Sequence, residues 1–370
     1  MEAIAESRTF NEKIVLQSEE SNVRNSGLEI LRIIVMMLIV MHHAVMYSNV
    51  LITDFVDYKI SKIIEMGGKL GVNIFVLISA YFMVTKKFSW KRIFNIILQT
   101  FIVSVVIYFI FLIAGETTFS FKNIIHNLFP VLFGNWWFVT SYVVLLLVSP
   151  GLNLIIKNIS QKQHKIICCA SVLVMIIVPY INLYLLKGDF VNFLAYNDTI
   201  WFIILYFVAA YFRLYKINVN KLIIFLIFIF GYLYQILDTV LTRWVFEIYC
   251  PNTLGNSVTS ISLFLLFKDF KFKNKFINAV ASTTFGIYLI HEHNLIRSWW
   301  WEKIFWQVQT GLNNYLLTFL TISLITFIGC AIVYFIYLKL VYKWIDRGLN
   351  VFCLKFSKCS ENKNLTEFSN

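Results

Sequence analysis

An apolar run that starts near residue 28 carries four groups able to do chemistry: Glu29, Arg32, His42 and His43. Charged and titratable side chains are costly inside a membrane span, so each is a functional candidate by default. Histidine is the side chain that gains and loses a proton nearest neutral pH, which makes it the natural general base. Glu29 and Arg32 are three apart and share one helix face. Arg32 and His43 are separated by close to three helical turns, so both point the same way, roughly 16 Å apart along the axis. A ligand lying along that helix could touch both. His42 points about 100° away and suits packing or support of its neighbour. The competing explanation is that Arg32 snorkels to the surface and that the histidines sit at the opposite interface.

A later apolar run ends in a second cluster, Tyr288, His291, Glu292 and His293, followed by Trp299, Trp300 and Trp301. His293 and these tryptophans fit an interfacial belt, which leaves His291 the stronger candidate. The His-Glu-His order invites a metal reading. Residues two apart diverge on a helix, however, and zinc-protease spacing puts the histidines four apart. No metal is expected.

These groups sit in a chain of 370 residues that is 59% hydrophobic, 18% aromatic and 14% charged. A soluble domain carries about 25% charged residues, so the composition argues for a membrane protein. The 36 Phe, 19 Tyr and 10 Trp exclude intrinsic disorder. Continuous apolar runs, without alternation, exclude a β-barrel. The net charge of +12 suggests basic cytoplasmic loops, with no nucleic-acid partner. Six cysteines without a CxxC pair indicate neither a zinc site nor a disulfide framework. The polar first 27 residues precede the first apolar segment, so that segment is expected to be a retained helix rather than a cleaved signal.

A spanning helix needs roughly 20 apolar residues. Ten segments meet or approach this: 28–47, 67–84, 93–114, 136–156, 166–186, 199–215, 222–241, 253–267, 277–293 and 316–341. Residues 121–134 read as an interfacial or re-entrant piece. Basic residues crowd alternate loops: Lys86, Lys87, Lys91 and Arg92; Lys157, Lys162 and Lys165; Arg213, Lys216 and Lys221; Lys268, Lys271, Lys273 and Lys275. By the positive-inside rule this alternation requires an even number of spans and both termini in the cytoplasm. The expected fold is therefore all-α and polytopic, with about ten transmembrane helices. A cytoplasmic tail (1–27), a membrane domain (28–341) and a basic cytoplasmic tail (342–370) divide the chain, with no room for a fused extracytoplasmic domain. Gly71, Ser79 and Ala80 in the second span suit close helix packing. Trp136 and Trp137 open the fourth span where an aromatic belt is expected, and Ser149-Pro150 is expected to break or kink it.

Four segments taken together resemble the acyltransferase 3 family of integral membrane acyltransferases: LEILRIIVMMLIVMHH, GVNIFVLISAYFM, NWWFVTSYVVLLLVSP and FGIYLIHEHNLI. Their order and spacing match the family over roughly residues 26–341. The sequence departs from the family pattern at Ala80, where Gly is usual, at Asn73, where Asp is common, and at Asn95, where a second Arg is often found. The resemblance implies acyl transfer, usually of acetyl, from cytosolic acetyl-CoA to a carbohydrate hydroxyl at or beyond the outer face of the cell membrane. It implies that Arg32 and His43 are the functional pair, and the family's late-helix histidine carries over to His291; His42 and His291 are thus counted with them as catalytic candidates.

The chemistry then has definite needs. A base must take the hydroxyl proton, and His43 suits that part, either acting directly or by first carrying the acyl group. A donor must meet the charge that develops on the thioester oxygen. CoA is heavily anionic, and Arg32, Lys91 and Arg92 are the expected contacts. The rival readings are a transporter or flippase and a polymerase of lipid-linked oligosaccharides. Mid-span ionisable groups would serve ion coupling equally well, but no inverted repeat or matched broken helices are visible.

Overall fold

A computed structural model describes residues 26–47, 55–184, 198–241, 250–305 and 315–351. Apart from the last residues of 1–27 and the first of 342–370, the two expected tails lie outside the described residues. Every regular element among the described residues is helical, and seven helices are long and apolar enough to cross a membrane. The chain is an all-α, multi-pass membrane protein.

In chain order the helices are α1 (Ser26–Tyr47), α2 (Phe55–Glu65), α3 (Gly67–Met83), α4 (Trp90–Ile113), α5 (Phe121–Leu128), α6 (Trp137–Lys157) and α7 (Gln161–Tyr184). There follow α8 (Asp198–Leu214), α9 (Lys221–Leu241), α10 (Leu254–Lys268), α11 (Lys275–Ala281), α12 (Thr284–His291), α13 (Asn294–Ile296), a π-helix (Arg297–Phe305) and α14 (Tyr315–Leu340). Residues 342–351 are also helical.

The centre is built from α1, α3 and α8. α3 packs against α1, α8 and α10, while α1 also meets α2, α11, α12 and α14. Small residues let α1 and α3 approach closely, as membrane packing requires. A methyl group on Gly68 would collide with the His42 ring, and one on Gly71 would lie 2.9 Å from the Val35 carbonyl oxygen. α8 buries Trp201, Phe202, Leu205, Tyr206, Ala209 and Ala210 completely. Large apolar residues on α4, α7, α9 and α14, such as Ile113, Leu173, Phe230 and Leu317, are exposed instead. Lipid solvates them, since hydrocarbon is as apolar as the side chains themselves.

Three expectations need correction. The span expected at 277–293 is broken into α11 and α12. At the break the hydroxyls of Ser282, Thr283 and Thr284 donate to the carbonyls of Ala279, Val280 and Ala281, which competes with the helical ladder. Trp136 is no belt residue: it is 1% exposed and packs edge-on against His293. Trp301 is also fully buried, and Trp300 donates to Thr326 Oγ1, so only Trp299 stays on the outside. The π-helix turns these aromatics inward. α6, by contrast, continues through Pro150. α5 carries exposed Phe121 and Leu128 and buried Asn127, in keeping with the interfacial piece expected over 121–134.

Candidate active site

His43 lies near the C-terminal end of α1, and His291 is the last residue of α12. The chain folds back so that these two rings meet: His43 Nδ1 lies 2.8 Å from His291 Nε2. The α11–α12 break and the short length of α12 bring His291 to this depth, opposite α1.

Hydrogen-bond partners assign the protons. His291 Nδ1 is 2.5 Å from the carbonyl oxygen of Ile287. A carbonyl only accepts, so Nδ1 carries the hydrogen and a neutral His291 presents a lone pair at Nε2. His43 must then donate through its own Nδ1–H. The lone pair of a neutral His43 is left on Nε2, free to accept a proton from a substrate. The tautomer of His43 is set by a chain of two hydrogen bonds anchored on a helix carbonyl.

Acidic and basic groups surround the pair. Glu292 Oε2 stands 3.2 Å from His43 Nδ1, while Oε1 accepts a 2.8 Å hydrogen bond from the Tyr47 hydroxyl. Tyr47, one turn beyond His43 on α1, stacks on the His43 ring with centroids 5.3 Å apart. Arg297, the first residue of the π-helix, reaches within 3.7 Å of Glu292 Oε1 and lies 4.6 Å from the centre of the Tyr47 ring. If His43 gains a proton, the Glu292 carboxylate faces the resulting imidazolium and favours it.

Arg32 occupies the other end of α1. Its side chain is 25% exposed and stands 3.8 Å from Glu29, so the expected face-sharing pair forms. It lines a cavity of about 180 Å³ that runs past Met36 and Ile39 on α1, Phe75 on α3 and Phe138 and Tyr142 on α6. The cavity reaches Tyr288 on α12, whose ring centroid is 6.2 Å from that of His291. One mostly apolar channel thus connects the arginine with the neighbourhood of the histidines.

The other expected residues separate. His42 turns away: its Nδ1 is 2.6 Å from the Glu65 carbonyl, and its ring seats on Gly68. It joins α1 to the α2–α3 junction. Lys91 is held by Asp346 at 2.6 Å. Arg92 belongs to a basic group that also contains Arg32, Lys86 and Arg213. Burial, and then the charges of these three arginines, lowers the proton affinity of Lys86 below the ordinary lysine range. Positive charge is therefore concentrated around Lys86, and such a concentration attracts anions.

Sequence reasoning did not single out Tyr47 or Arg297, and it placed Arg213 only among the basic loop residues. Tyr47 was findable, since it follows His43 by four residues and so shares its face. Arg297 and Arg213 reach the site through tertiary folding alone.

Metal ligation can be tested on geometry. His43, His291 and Glu292 form the one group among the described residues with three potential ligand atoms within 4.8 Å of one another. Two ligand atoms on one tetrahedral zinc stand about 3.3 Å apart, from zinc–nitrogen distances of about 2.0–2.1 Å. The 2.8 Å between the two imidazole nitrogens is a hydrogen-bond distance instead. His293, the other half of the His-Glu-His pattern, accepts from the backbone N–H of Leu295 and takes no part in the group.

No curated protein and no solved structure matches the chain. A family model described as an acyltransferase domain matches residues 25–335, from the first turn of α1 into α14. The chain that pairs His43 with His291, near a cavity that runs from Arg32 to Tyr288, therefore belongs to the acyltransferase 3 family of membrane acyltransferases.

Proposed function

We propose that this acyltransferase moves an acetyl group from cytosolic acetyl-CoA to a hydroxyl of a cell-surface or exported polysaccharide, working in the cell membrane. The observation that carries the reading is the channel from Arg32 to Tyr288, beside a histidine pair whose outer lone pair is free.

The donor is assigned to the Arg32 end, where Arg32, Lys86, Arg92 and Arg213 suit the phosphates of CoA. The apolar channel suits the pantetheine arm, and along α1 it runs from Arg32 to Ile39, about 10 Å of the roughly 16 Å between Arg32 and His43. His43 Nε2 takes the proton of the acceptor hydroxyl as its oxygen attacks the thioester carbonyl. The tetrahedral intermediate collapses, its C–S bond breaks, and the CoA sulfur leaves as a thiolate. The proton on Nε2 then passes to that sulfur, returning His43 to its starting tautomer. His291 and Glu292 stabilise the charged imidazolium between these two transfers. With the basic loops at the Arg32 end facing the cytoplasm, the histidines lie toward the outer face and both tails lie inside.

The test is a proton NMR spectrum of the host's purified surface polysaccharide, from cells with wild type, His43→Ala or no protein, before and after mild alkali. The reading expects an acetyl methyl signal with wild type alone, lost in alkali. The same signal in all three samples would overturn acetylation of that polymer. Loss of the whole polymer without the protein would point to export or polymerisation.

A further inference from the structure

A second cavity, of about 130 Å³, opens where α4, α5 and the segment following α12 come together. Its lining differs in kind from that of the channel: Tyr108, Lys122, Asn123, His126, Asn135 and Asn294 contribute a phenol, an ammonium, an imidazole and three amides. Tyr108 is 2% exposed, and its buried hydroxyl has no hydrogen-bond partner in the protein. A buried polar group left unbonded costs about 1–3 kcal/mol. A hydroxyl of this kind at the wall of a cavity is therefore poised for a ligand.

The walls around it are rigidly tied. Asn127 accepts from Ser104 on α4 and donates to the Asn123 carbonyl, while Asn135 donates to the carbonyl of His126. The His126 ring stacks on Phe133 with centroids 4.5 Å apart. Gly115 and Gly134, both at positive φ, turn the chain on either side of α5, and Lys303 meets Glu116 at 3.4 Å across the opening segment. Asn294 follows His291 by three residues, so this cavity and the catalytic pair share one end of the bundle.

We infer that this second cavity is a binding subsite for the carbohydrate acceptor. The assignment rests on the acetyl-transfer reading for its role, though not for its ligand chemistry. Amide and hydroxyl groups converging from separate elements, with an imidazole stacked on a phenyl ring, match a ligand dense in hydroxyls that both donate and accept. The only ammonium or guanidinium in the lining is Lys122, which is exposed. The clustered cations that suit a polyphosphate donor stand at the Arg32 end. Donor and acceptor are thus divided between two cavities that flank the histidines.

The test is equilibrium binding of oligosaccharide fragments, prepared from the host's alkali-treated surface polysaccharide, to the purified full-length protein in detergent. Wild type binds them, and Tyr108→Phe, which deletes a single hydroxyl, weakens binding about two- to twelvefold, the worth of one net hydrogen bond. Asn294→Ala, at an exposed position, weakens it similarly, and neither variant alters the KM for acetyl-CoA. Binding equal to wild type in both variants overturns the assignment, as does no binding by wild type. Fragments that bind through Tyr108 but are never acetylated support the glycan site while defeating the acetyl-transfer reading.

Discussion

The Nδ1 atom of His43 donates to Nε2 of His291 across a separation of 248 residues, and His291 in turn donates to its own helix at Ile287. The first ring is thereby fixed in rotation and tautomer by a second ring that never needs to touch substrate. Under the proposed reading the first ring is the base and the second its orienter, a part it shares with the nearby carboxylate.

The two rings should therefore fail differently. His43→Ala removes the base and is expected to lower kcat about 10²- to 10⁴-fold. His291→Ala leaves the base but strands its Nδ1–H, a loss of about 1–3 kcal/mol, or roughly five- to 150-fold in rate. Steady-state kinetics of the purified variants checks the order. A His291→Ala defect as deep as that of His43→Ala would make His291 a reacting group.

Gly68 offers a test of the scaffold beneath them. A methyl group there cannot coexist with the His42 ring in its present seat, and that ring is bonded to Glu65 across the helix junction. Gly68→Ala is expected to cost about 1–3 kcal/mol through overpacking, seen as a lower melting temperature in detergent. The double variant His42→Ala/Gly68→Ala should recover part of the loss, because the clash partner is gone. Additive losses would show that the two residues are not coupled.

Arg32 and Lys86 should govern the donor alone. Arg32→Gln keeps a polar side chain but removes a charge that serves about 1.5–3 kcal/mol of charge-assisted bonding, so the KM for acetyl-CoA should rise about ten- to 150-fold. Lys86→Ala, at a more solvated position, should produce a smaller rise that shrinks further at high salt. The KM for the acceptor should stay unchanged in both. An effect of Arg32→Gln confined to the acceptor would reverse the assignment of the two ends.

Much of this site was legible before any coordinates, for physical reasons. The period of α1 places Arg32 and His43 on one face, and the expense of a charge among apolar residues marks them out. His291 stands out by the same rule. Other parts were hidden. Nothing local says that Ser282, Thr283 and Thr284 break the ninth expected span, because each hydroxyl could equally sit within an unbroken helix. Trp136 and Trp301 looked interfacial because position along a span does not reveal which side of the helix meets protein. Lys91 looked free for CoA until the chain beyond α14 brought Asp346 to it.

His43, His291 and Glu292 are the right residue types for zinc. With the imidazole nitrogens bonded to each other at 2.8 Å, a cation could enter only after the proton between them had left and the rings had moved apart. That would also strip His43 of the fixed tautomer on which its free Nε2 depends. Activity is therefore expected to be unchanged after dialysis against a strong chelator, and added zinc is expected to inhibit by capturing the pair. Loss of activity with the chelator, restored by zinc, would turn the histidines from base and orienter into ligands.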